Sequence, residues 1–137
     1  MYRYYIGIDC GVNTGYAVYD KQLKQLTVVS TVMIHQAMLA LMVIHKDGYS
    51  NECMVIVEDA RQVRFNTDKV KLQGAGSVKR DAKIWEDFLT DFKFPFQMVR
   101  PKKAITKFDA DKFKAVTGWE GRTNSHGRDA AMLVFGR

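Results

Sequence analysis

Over the first third of the chain, short runs rich in β-branched and aromatic residues alternate with turns. After that, apolar positions recur at helical spacing. Tyr4 to Asp9 (YYIGID) is a brief β-rich run that ends before Gly11, and Gly15 to Tyr19 (GYAVY) follows a turn containing Asn13 and Thr14. A second turn, Asp20 to Lys24, leads into Leu26 to Met33 (LTVVSTVM). Three such runs joined by short turns predict an antiparallel meander. Residues 34 to 45 (IHQAMLALMVIH) favour a helix that Gly48 closes. Met54 to Val57 (MVIV) is short and wholly apolar, as expected of a strand covered on both faces and running parallel to the first. Glu58 and Asp59 stand at its C-terminal end.

From Val78 to Phe92, the residues Val78, Ala82, Trp85, Leu89 and Phe92 fall on one stripe of a helix whose opposite face is charged. Phe96 to Val99 reads as a last strand and Asp109 to Val116 as a short helix stopped by Gly118. Asn124 to Phe135 reads as a terminal helix capped by Asn124 or Ser125. The order β-β-β-α-β-α-β-α-α predicts an α/β architecture, a mixed central sheet with an antiparallel β-meander at its start and helices flanking it. With 137 residues and no repeat or linker, a single domain over 1–137 is expected.

Charge changes the picture more than composition does. The formal net charge is +6, and it is segmental: Arg61 to Lys114 holds 14 Lys and Arg against 7 Asp and Glu. A basic segment of this kind suits a polyanion, because neutralising phosphates releases counterions. The longest apolar run, 37 to 44, falls far short of the ~20 residues a bilayer span requires, and no secretory signal pattern opens the chain. No membrane partner and a cytoplasmic location are therefore expected. Cys10 and Cys53 lack zinc-like spacing, and Cys53 reads as core.

The candidate chemistry lies in where the acids sit. Asp9 ends the first strand and Glu58 the buried strand, so adjacent parallel strands would bring both carboxylates to one end of the sheet. A carboxylate at the margin of a core costs several kcal/mol unless it is paired or binds metal. His126 and Asp129, three apart on the terminal helix, share the face that continues through Ala130 and Leu133 and so points inward. Singly, each has a plainer explanation: Asp9 as a turn former, Glu58 or Asp59 as a loop acid, His126 and Asp129 as first-turn helix residues. Together, three carboxylates and an imidazole make a site for a hard cation, Mg²⁺ or Mn²⁺, and two such ions can clamp a phosphodiester.

The stretches IGIDCGVNTGYAVYD (6 to 20), VEDAR from Val57, and SHGRDAAMLV (125 to 134) resemble, in order, the active-site motifs of the RuvC-type Holliday junction resolvases of the RNase H-like superfamily. The resemblance implies an RNase H-like fold and a homodimer that binds four-way DNA junctions and makes paired symmetric nicks. It implies catalytic and metal-binding roles for Asp9, Glu58 and Asp129, with His126 at a position often held by aspartate. It also implies a lysine beside the acids, for which Lys112 is the candidate. Cys10 stands where these resolvases commonly have proline. His126 is open to three roles: metal ligand, proton donor or water-orienting group, and plain first-turn residue.

For DNA contact, Arg61, Gln62 and Arg64 follow Glu58 directly, and Phe65 is either a wedge at a junction or core. Gly74 and Gly76 read as a loop ahead of a helix whose first turns carry Lys79, Arg80 and Lys83, where a phosphate would be drawn in. Lys102, Lys103, Lys107 and Lys112 form a second cluster. Ile84 and Phe88 would form a dimer surface if left exposed. The DxGxT-like first motif also fits actin-like ATPases, but these need two lobes. Two alternatives remain: another RNase H-like nuclease acting on RNA or an RNA–DNA hybrid, and a non-catalytic nucleic-acid-binding module.

Overall fold

The computed structural model describes residues 1–62, 69–102 and 107–137, with backbone alone for 69–75. Three strands, β1 (Tyr4–Asp9), β2 (Asn13–Asp20) and β3 (Gln25–Met33), form the expected antiparallel meander. Helix α1 (Ile34–Lys46) leads to β4 (Cys53–Glu58), helix α2 (Lys69–Asp91) to β5 (Phe96–Val99), and helices α3 (Ala110–Thr117) and α4 (Ser125–Val134) complete the chain. The sheet order is β3-β2-β1-β4-β5, with β4 parallel to both β1 and β5. This is the α/β arrangement predicted, a mixed sheet with a meander on one side and helices on both faces.

Strand alternation divides the core in two. Ile6, Ile8, Val55 and Val57 face α1 and α2, where Leu41, Trp85 and Leu89 are fully buried. Ala17, Ile56 and Tyr19 face the other way, against Ala130, Leu133 and Val134 of α4 and Phe113 of α3. Each large apolar side chain so buried is worth about 1.5–3 kcal/mol. Both faces of β4 are covered, which explains its unbroken apolar run.

Two strand glycines bring α4 down onto the sheet. A Cβ at Gly7 would lie 2.1 Å from the Ala130 carbonyl oxygen, and one at Gly15 would lie 1.9 Å from that of His126. The helix backbone therefore rests directly on β1 and β2, and any side chain at either position would lift it away. This close approach fixes the height of α4 above the strand ends.

One element departs from the pattern-based expectation. Helix α2 begins at Lys69 rather than near Val78, so Gly74 and Gly76 lie inside it instead of in a loop ahead of it. Lys79, Arg80 and Lys83 consequently stand in the helix interior. The phosphate-binding helix start expected there does not exist, because the amides of those turns are used within the helix.

Candidate active site

The parallel register of β1 and β4 sets Asp9 directly opposite Glu58. Both residues share the sheet face of Gly7 and Ile56, under α4. That helix adds His126, whose Nδ1 lies 3.0 Å from Asp9 Oδ2, and Asp129, whose Oδ2 accepts a hydrogen bond from Lys107 Nζ at 2.9 Å. Lys102, Lys107 and Phe108 complete a recess that also holds Glu58, Asp129 and Met132. A further bond links the strand ends: the Cys10 thiol donates to the Glu58 carbonyl at 3.4 Å.

The electrostatics record a concentration of negative charge. Burial, then the charge of Asp9, pushes the Glu58 carboxyl up to about 7. Asp9 is raised as well, chiefly by burial, although its hydrogen bond to His126 works against the rise. Burial acts to lower the Lys107 ammonium, but the bond to Asp129 and the charges of Glu58, Asp129 and Asp9 outweigh it and raise the group. Among the described residues Lys107 is thus a counter-charge of the cluster, with Lys102 acting on Glu58 as well.

By chemistry the donors suit a hard divalent cation: carboxylate oxygens, two of them on groups whose ionisation is opposed by burial and by a neighbouring carboxylate, Asp9 acting on Glu58 and Asp129 on Asp9. Among the described residues, no three or more His, Cys, Asp or Glu side chains are grouped so as to hold a metal ion as they stand. Asp129 is turned to the Lys107 ammonium.

Alternation separates the two acids at the end of β4. Glu58 faces α4, whereas Asp59 faces α2, buried in an ion pair with Arg61 at 2.8 Å. Arg61 also reaches Glu86 of α2 at 3.1 Å. Although burial pushes Asp59 upward, Arg61 holds it below the usual carboxylate range.

Several DNA-contact candidates are placed differently from expectation. The Arg61 guanidinium is committed to Asp59 and Glu86, and the Gln62 amide donates to the Met98 carbonyl at 3.1 Å. Lys83 pairs with Asp87 at 2.7 Å and Glu86 at 3.7 Å; Arg80 comes within 3.9 Å of Asp81. Lys79 is exposed on the same helix. Arg64, Phe65 and Lys103 lie outside the described residues. Lys112 is exposed, its Nζ 4.8 Å over the Phe108 ring, and the amine that meets the acids is that of Lys107. Lys107 carries no periodic signal in the sequence; only its place in the 102–112 lysine cluster points to it.

The sequence matches no protein-family model and no curated protein. Among solved structures, the chain is similar to Thermus thermophilus RuvC. The identity is 16% and the TM-score 0.49, with 93% of this chain and 88% of that chain covered.

Proposed function

We propose that this protein is a metal-dependent endodeoxyribonuclease that acts on branched DNA, with four-way junctions as its substrate and paired symmetric nicks as its product. The observation that carries the reading is the register pairing of Asp9 with Glu58 beneath a helix bearing Asp129 and His126. Three carboxylates from distant points in a chain are not gathered beside Lys107 and Lys102 for the sake of stability. Asp9, Glu58 and Asp129, with His126 beside Asp9, would hold Mg²⁺ or Mn²⁺, two ions per site. Bound there, such ions supply the charge that activates water and stabilises the departing 3′ oxygen.

The chain's own residues have definable parts. Lys107 brings positive charge to the acids and, once a phosphate enters, stabilises the charge that builds on it. His126 fixes the orientation of Asp9 through Nδ1, which leaves Nε2 for a proton transfer or a ligand bond. Among the described residues one chain brings together one such acid cluster, so paired cuts call for a homodimer acting on DNA.

The test is cleavage of labelled four-way junction, duplex, flap and RNA–DNA hybrid with Mg²⁺, Mn²⁺ or chelator, by the native protein and by Asp9→Asn, Glu58→Gln and Asp129→Asn. Junction-selective, metal-dependent nicking is expected, abolished in each variant, with junction binding intact or tighter because negative charge facing phosphate has been removed. Preference for the hybrid would turn the reading toward an RNA-directed nuclease. Binding without cleavage of any substrate would make the protein a non-catalytic module.

A further inference from the structure

His126 also lines a polar groove of about 640 Å³, within the ~300–1,000 Å³ range of ligand sites. Asn13, Thr31, Thr123, Asn124 and Ser125 line it with neutral hydroxyl and amide groups, and Arg128 adds a positive charge. Among the described residues, none that lines it is a carboxylate, although His126, which does, lies 3.0 Å from Asp9 of the acid cluster. The groove is also firmly built. The Gly127 amide donates to Thr31 Oγ1 at 3.2 Å, and a Cβ at Gly127 would meet the Ser30 carbonyl oxygen at 3.0 Å, so α4 and β3 are in backbone contact. Arg128 fastens the rim through bonds to the Phe108 and Thr123 carbonyls at 3.1 and 3.0 Å.

We propose that this groove seats the nucleic-acid strand on one side of the scissile phosphate, with the Lys102 and Lys107 recess seating the other side. The proposal rests on reading the acid cluster as a nuclease centre. Neutral hydroxyls, amides and backbone N–H groups contact phosphate and sugar to set register, while lysines and arginines supply bulk affinity. An acid-free channel next to three carboxylates is the route on which a polyanion meets least repulsion. The basic residues that the sequence offers for holding the strand are in part committed elsewhere, Arg61 to Asp59 and Glu86 and Lys83 to Asp87.

Cys10 and Cys53 are both buried, so a thiol introduced on the surface is the reactive one. Ser125→Cys and Lys102→Cys, each coupled to a photoactivatable aryl azide in an Asp9→Asn background, are irradiated with end-labelled four-way junction. Lys24→Cys, in the turn at the opposite end of the sheet, gives the background level. Position 125 is expected to label nucleotides on one side of the native cut and position 102 those on the other. Labelling from 125 at the Lys24 level, or of the same nucleotides as 102, would overturn the proposal. Ser125→Asp supplies a second reading: an acid at the start of α4 favours the helix, yet junction binding is expected to weaken on the order of tenfold at low salt. Unchanged binding would rule the groove out as a strand path. Specific labelling from 125 by a protein that cuts nothing would reject the nuclease and keep the groove, whereas cutting without that labelling would reject the groove alone.

Discussion

Glu58 and Asp59 are neighbours in sequence with opposite surroundings. One stands under α4 with its ionisation opposed; the other is locked to Arg61, which also holds Glu86. A sequence shows that both end a strand, and only period-2 alternation against a known core face separates them. The same limit applies to lysine. Lys112 is a reasonable candidate beside the acids on sequence alone, but its position on α3 carries it over Phe108, and Lys107 meets Asp129 instead. If Lys107 stabilises charge on the reacting phosphate, Lys107→Ala should lower single-turnover cleavage by roughly 10²–10³-fold, the usual effect of losing one such group. Lys112→Ala should stay near the native rate. Equal losses in the two variants would remove Lys107 from its special place.

Glu58 also makes a statement about stability. Its carboxyl titrates at about 7 in the fold against 4.5 for the ordinary group. Between those values the unfolded chain has released a proton that the folded chain keeps, so stability falls as pH rises through this window and levels off above it. Asp9 shifts in the same direction. Asp20 and Asp59 shift the opposite way, and their contribution is lost only as pH falls below the ordinary aspartate range. Without divalent ions, the melting temperature should therefore be lower at about pH 8 than at about pH 5. A cation that binds the ionised cluster should recover it, with a larger Mn²⁺-induced rise at the higher pH. Thermal unfolding with chelator and with Mn²⁺ at both pH values tests this. Glu58→Gln should flatten the trend, and an unaltered trend in that variant would assign it to other groups.

At the level of elements, the meander and α4 are legible from their patterns, and the buried parallel strand from its unbroken apolar run. The convergence of Asp9 and Glu58 follows from their places at two strand ends. The start of α2 is not legible: Gly74 and Gly76 break the apolar stripe and mimic a loop, yet the helix runs through both in spite of their low helix propensity. Nor is the fate of Arg61, which depends on Glu86, a residue 25 positions further on. The glycines of β1 and β2 have a meaning that no local pattern conveys, since only the partner helix shows what a side chain there would strike. Gly15→Ala should force α4 off β2 and cost about 1–3 kcal/mol or more as an overpacked contact. Because the struck atom is the His126 carbonyl oxygen, cleavage should fall further than the loss of folded protein explains. The control is Gly76→Ala: a Cβ there meets nothing within 4 Å, and alanine favours the helix interior. Chemical denaturation and cleavage measured on both variants test the point, and a native-like Gly15→Ala would mean that α4 is not held by backbone contact.

Across the whole molecule, the positive charge counted along the sequence is not all available to a partner. Of the basic residues between Arg61 and Lys114, Arg61, Lys83 and Lys107 are engaged with carboxylates. Lys79 and Arg80 stand exposed on α2, Arg80 with only a long 3.9 Å approach to Asp81. Counterion release depends on cations that neutralise phosphate, and a lysine already holding an aspartate releases little when DNA arrives. If α2 touches DNA, replacing Lys79 and Arg80 together with alanine should reduce the slope of log affinity against log salt by roughly 0.9 for each phosphate no longer neutralised. Adding Lys83→Ala should change that slope no further, and Lys83→Ala alone should keep the native slope. Junction binding by the native protein and these three variants over a salt series separates the outcomes. A native slope in the double variant would make α2 solvated surface, and a drop in the Lys83 single variant would show that its bond to Asp87 yields to phosphate.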